Sequence, residues 1–154
     1  MGVVLWPMFN PEVPSIDVQL EGKALAGSVP FLDDLARLLN VRTISSFMDN
    51  RPLPDGVGEP PPIGDPAKLG QLDDWIAGFE AAEAEREERE PWSEWFPAAD
   101  GAETMHALAR RLESRVDAVP AKMAVAAVIK DLDELARCLL LAEARGARFR
   151  LDVF

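Results

Sequence analysis

Residues 120–153 read PAKMAVAAVIKDLDELARCLLLAEARGARFRLDV, and two periodicities meet in this stretch. Val125, Val128, Ile129, Leu132, Leu135, Ala136 and Leu139 recur at steps of three and four, the stripe of a helix with one apolar face. Pro120 suits the opening of that helix. Around Cys138–Ala142 the stretch is apolar on most sides, which predicts burial by two neighbours. Gly146 suits a left-handed closing residue, a conformation glycine tolerates best. From Ala147 the period becomes two, with Phe149, Leu151 and Val153 on one face and Arg148, Arg150 and Asp152 on the other. A strand this short needs a partner strand to be stable. The candidates are residues 41–48 and the N-terminal segment.

Working upstream, Asp100 is placed to cap a helix, with Glu103 at the capping-box position. Met105, Leu108, Ala109, Leu112 and Val116 form its apolar stripe, so this helix and the next make an αα-hairpin. Val41–Met48 alternates as a strand. Residues 16–20 alternate too, and GVVLW at 2–6 reads as a short strand stopped by Pro7. A helical turn can begin near Glu21. Ser28 then offers an N-cap with Pro30 in the first turn, followed by Leu32, Leu35, Ala36 and Leu39. The expected fold is α+β and helix-rich: an αα-hairpin core on a small sheet built from the N-terminal region, 41–48 and 147–153. A length of 154 residues fits one domain over 1–154.

The middle of the chain differs in kind. Residues 50–100 hold 13 acids and 4 bases, so they supply most of the net charge of −11, together with three of the four tryptophans. Residues 50–70 carry six prolines and four glycines and read as a surface excursion. Leu72, Trp75, Ile76, Phe79 and Ala82 then mark one helix stripe. From Glu83 to Glu90 the same helix turns polar (EAEREERE), and it ends before Pro91. The acidic, tryptophan-containing segment spans about 71–100.

Charge excludes some functions. Phosphates reward Lys and Arg, so an acidic chain is a poor ligand for nucleic acid, and an anionic membrane surface repels it. No uncharged run approaches the ~20 residues of a membrane span. MGVVLWPMFNPEVP lacks a basic leader and breaks at Pro7, and Trp6 stands where a myristoylation pattern needs Ser or Thr. One cysteine, Cys138, excludes an internal disulfide. These features predict a cytoplasmic protein, and abundant Ala, Arg, Glu and Pro with no Tyr point to a GC-rich bacterial source.

No catalytic pattern stands out. Glu103 and His106 have metal-pair spacing, but one histidine cannot complete such a site, and His106 falls off the apolar stripe. Six serines share that one histidine and no GxSxG is present. No glycine loop has phosphate-binding spacing. Cys138 reads as an inert core thiol. Neither a metal nor a cofactor is called for.

A binding surface is the function this pattern fits best. Glu83, Glu87 and Glu90 share one helix face and suit a basic protein partner. Trp92 and Trp95 lie between Pro91 and Pro97. Burying such a ring is worth ~2–3 kcal/mol, so they either fold back as a lid or serve as interface anchors. Two other classes stay open, a small enzyme using carboxylate chemistry and a structural subunit of a homo-oligomer.

Four pieces, EGKALA at 21–26, VRTISSF at 41–47, EWFPAADG at 94–101 and AEARGARFRL at 142–151, together resemble a family of small bacterial proteins with no assigned activity. The resemblance implies that the Trp-Phe-Pro segment before the capped helix belongs to the fold. It brings no functional residue with it.

Overall fold

The computed structural model describes residues 3–49, 54, 56–58, 61, 69–115, 119–120 and 123–154. In chain order the elements are β1 (Leu5–Asn10), α1 (Lys23–Leu38), a 3₁₀ turn (Ile44–Phe47), α2 (Leu69–Arg89), β2 (Phe96–Pro97), α3 (Ala98–Ser114), α4 (Val125–Ala144) and β3 (Arg148–Val153). They fall into two compact units, residues 1–50 with 94–154, and residues 51–93. The fold is α+β and helix-rich, with the C-terminal strand in a three-stranded antiparallel sheet.

In the first unit α3 and α4 form the hairpin that makes the core. Met105, Leu108 and Leu112 of α3 and Val128, Leu132, Leu135 and Leu139 of α4 are fully buried. Val116 of the expected α3 stripe lies outside the described residues. Phe149 and Leu151 of β3 and Leu5 of β1 close the core from the sheet side. Val153 is 49% exposed, so the inward alternation stops one residue pair short of the expected length. Gly146 ends α4 at φ +69°, as its place after the helix requires. Gly101 lets α3 approach the sheet. A Cβ there would stand 2.3 Å from Phe149 Cζ and 2.9 Å from Leu139 Cδ1, so any larger residue collides.

β3 is the middle strand, paired with β1 on one side and β2 on the other. Of the two candidate partners, the N-terminal segment is the one that pairs with it. That segment continues through Pro7 rather than stopping there, and the ladder explains why. Val4 and Phe154 exchange both backbone bonds at 2.8 Å. Bonded and non-bonded pairs alternate along an antiparallel ladder, so Pro7, opposite Leu151, falls on a pair that uses no N–H. β1 is also an edge strand, where proline is tolerated.

Residues 41–48 are not a strand. Ile44 and Phe47 are both fully buried, and their spacing of three fits a 3₁₀ turn. Side chains on neighbouring backbone decide the local geometry. The Asp33 carboxylate accepts the Ser45 N–H at 3.2 Å, and Ser46 Oγ donates to Thr43 O at 2.6 Å. Phe47 then packs on Phe149, with centroids 5.0 Å apart, and on the edge of Phe96 at 5.6 Å. Phe96 is thereby part of the fold. Residues 16–20 form no strand either. Their alternation is real in burial, Leu20 being buried while Asp17 and Gln19 are exposed, but they pair with no strand.

Three helix starts differ from the sequence reading. α1 begins at Lys23 with Pro30 inside it, and Ser28 is an interior residue whose hydroxyl donates back to Ala24 O at 2.9 Å. α3 begins at Ala98 behind Pro97, leaving Asp100 in the first turn and without a capping role. α4 begins at Val125, after a turn closed by the Met123 N–H on Pro120 O. Its far end is less covered than expected, with Leu140 46% and Leu141 41% exposed.

Candidate functional site

The second unit, residues 51–93, carries 11 acids against 4 bases, a formal −7. α2 makes up most of its described residues. The expected stripe forms only a shallow apolar side. Leu72, Trp75, Phe79 and Ala82 are half-buried, and Ile76 is 40% exposed. Trp75 and Phe79, one helical turn apart, stack with ring centroids 5.3 Å apart. The Trp75 indole N–H donates to Gly58 O at 2.8 Å, tying the loop backbone to the helix. An open pocket of ≈ 200 Å³ lies between Gly56–Gly58 and these rings.

The acidic end of α2 places three of the five sequence-predicted residues at i, i+4 and i+7. Glu83 is half-buried and accepts a bond from Arg86 Nη2 at 3.0 Å. Glu87 is exposed, and its Oε2 accepts the Trp92 backbone N–H at 3.4 Å. Glu90 is exposed, just past the helix, with its own N–H on Arg86 O at 2.6 Å. Trp92 is half-buried. Glu87 therefore fixes where the chain leaves the helix and leads into Trp92.

Trp95 belongs to the other unit. Its ring lies under the Arg150 guanidinium, 4.4 Å from the ring centroid, and its carbonyl accepts a bond from Arg148 Nη1 at 3.3 Å. A guanidinium stacked on Trp is a favourable cation–π arrangement. So the structure joins Glu87 with Trp92, and Trp95 with the arginines of β3. Sequence reasoning placed Arg148 and Arg150 on the outward face but missed their partner. The register between β3 and residues 95–97 is a long-range property that no local pattern carries. Arg42 was also missed. It lies over Phe47 and Phe96, at 4.6 and 5.1 Å from their centroids, and pairs with Asp100 at 3.4 Å.

Other chemistry is sparse. Among the described residues, no group of three or more His, Cys, Asp and Glu is placed to hold a metal ion. His106 is exposed on α3. Cys138 is fully buried, and burial pushes its thiol up to about 11, so at neutral pH it stays protonated and unreactive. Asp131, also buried, accepts the Gly22 N–H at 3.1 Å and so serves the start of α1 from a distance of 109 residues in the chain. Among the described residues, no helix is long and apolar enough to cross a membrane.

No protein-family model, curated protein or solved structure matches this chain.

Proposed function

We propose that this protein is a non-catalytic binding or regulatory module of the bacterial cytoplasm that presents the acidic face of α2 to a basic protein partner. One observation carries the reading. The unit of formal charge −7 displays Glu87, on α2, and Glu90, just past its end, to solvent, with the Trp92 backbone N–H bonded to the Glu87 carboxylate beyond them. Exposed like charges at this density repel one another, and a basic surface would relieve that repulsion while the tryptophan supplies apolar area. The absence of matching catalytic patterns in the sequence leaves binding as the better-supported class. Nucleic acid and anionic membrane fit the charge badly.

The test uses two baits, the native chain and a Glu83→Lys, Glu87→Lys, Glu90→Lys variant. A lysine- and arginine-rich protein retained by the native chain and lost by the variant supports the reading. Equal retention by both baits places the binding surface elsewhere.

A second reading, a subunit of a homo-oligomer, is favoured by exposed apolar side chains in the first unit. Leu38 is 82% and Phe154 68% exposed. Sedimentation equilibrium of the native chain distinguishes it.

A further inference from the structure

Between β1 and α1 the chain crosses residues 11–20 without regular secondary structure. It is held to one side of α4 by three polar ties. Arg145 Nη1 donates to Ser15 Oγ at 2.9 Å, Arg137 Nη2 donates to Asp17 O at 2.6 Å, and the Gln19 N–H donates to Glu134 Oε2 at 3.2 Å. All three lie at exposed positions, where such interactions are individually weak. Apolar anchoring is partial. Leu20 is the one buried residue of the segment, and Val13, Ile16 and Val18 are half-buried, Val13 and Ile16 against the edge of the core.

The Cys138 thiol sits among these ties. Its Sγ is 3.8 Å from Arg137 Nη2 and 3.9 Å from Glu134 Oε1, and both side chains hold the segment. Arg137 Nε also bonds Glu134, so the two act together. Cys138 and Leu20 are both buried, yet neither belongs to the main core cluster. The thiol is thus hidden on the strap side of α4 rather than in the hairpin interior.

We propose that residues 11–20 form a strap that lifts off α4 as a unit while the hairpin and sheet stay folded, and that its position governs access to the Cys138 thiol. Segments with few buried apolar contacts and solvent-exposed bonds open at far lower cost than the core. With the strap closed, the thiol is dry and protonated. With it lifted, water reaches the sulfur, burial, the main cause of its raised pKa, is relieved, and the thiol becomes reactive.

Labelling of the full chain with 5,5′-dithiobis(2-nitrobenzoate) tests this. The Cys138 thiolate attacks the reagent's disulfide, one mixed disulfide forms and one thionitrobenzoate leaves. The expected rate is insensitive to urea below the unfolding transition. Arg145→Ala removes a tie two helical turns from Cys138, so it does not alter the sulfur's immediate surroundings. It should speed labelling several-fold, up to about fivefold if the tie is worth the upper end for an exposed pair, and lower the urea midpoint by no more than that same factor in the unfolding equilibrium accounts for. Hydrogen exchange at the Gln19 amide should quicken by the same factor. Labelling that follows global unfolding in its urea dependence, or an unchanged rate in Arg145→Ala, overturns the strap.

Discussion

Gly101 and Asp131 show how single residues hold the first unit together. At Gly101 the space for a Cβ is already taken by Phe149, whose ring is itself confined by Phe47 and Phe96. Gly101→Ala gains helix propensity worth ~1 kcal/mol, but overpacking costs about 1–3 kcal/mol or more. At this overlap the cost should win, and urea unfolding should show a net loss. A variant more stable than the native chain would mean that Phe149 can move aside. At Asp131, burial raises the carboxyl pKa above its ordinary 3.8, against the lowering effect of bonds from the Gly22, Glu21 and Leu25 backbone, and nearby Glu21 raises it further. The folded chain therefore holds this proton more tightly than the unfolded chain does. Its contribution to stability is full below about pH 3.8 and is lost as pH rises through the folded value. Asp131→Asn keeps an acceptor for Gly22 and removes that slope. The unfolding free energy of the variant, relative to native, should rise from pH 4 towards neutrality, and a flat difference would contradict it. Neither role was legible beforehand. A glycine inside a helix and an aspartate on its polar edge look ordinary until the partner, 48 or 109 residues away, is known.

At the scale of elements, the sequence marks what periodicity can mark. The stripes of α3 and α4 and the alternation of β3 were legible because each buries one face against a large core. Leu135→Ala should cost ~2–5 kcal/mol in urea unfolding, since that side chain is fully enclosed, and a loss below 1 kcal/mol would show that the hairpin is not the core. β3 is the strand both neighbours share, so deleting residues 148–154 should abolish amide protection across Leu5–Asn10. Retained protection there would mean that β1 has another support. The misread elements share a cause. Residues 16–20 and 41–48 alternate, but one lies along a helix and the other curls into a 3₁₀ turn held by Asp33. Alternation reports which side chains are buried, and says nothing of whether a strand lies alongside. Pro7 misled in the opposite direction, because a proline on an edge strand costs nothing when its ladder position needs no donor.

Over the whole molecule, charge is distributed unevenly. The unit of residues 1–50 with 94–154 holds the hairpin core and sheet, and the unit of residues 51–93 holds most of the net negative charge. The acidic face was legible as composition and spacing. The attachment of Trp92 to Glu87, and of Trp95 to Arg150, was not, because both depend on backbone geometry beyond the end of a helix. If Glu83, Glu87 and Glu90 steer a basic partner and Trp92 anchors it, the two features should act on different rate constants. The deciding measurement is the association rate with the captured partner at two salt concentrations, for the native chain and the triple Glu→Lys variant. Salt should slow the native association, because screening acts beyond ~8–10 Å. The variant should associate more slowly, with a weakened salt dependence, while Trp92→Ala leaves association nearly unchanged and speeds release. Identical rates for native chain and charge variant at both salt concentrations would contradict the acidic face as the partner surface.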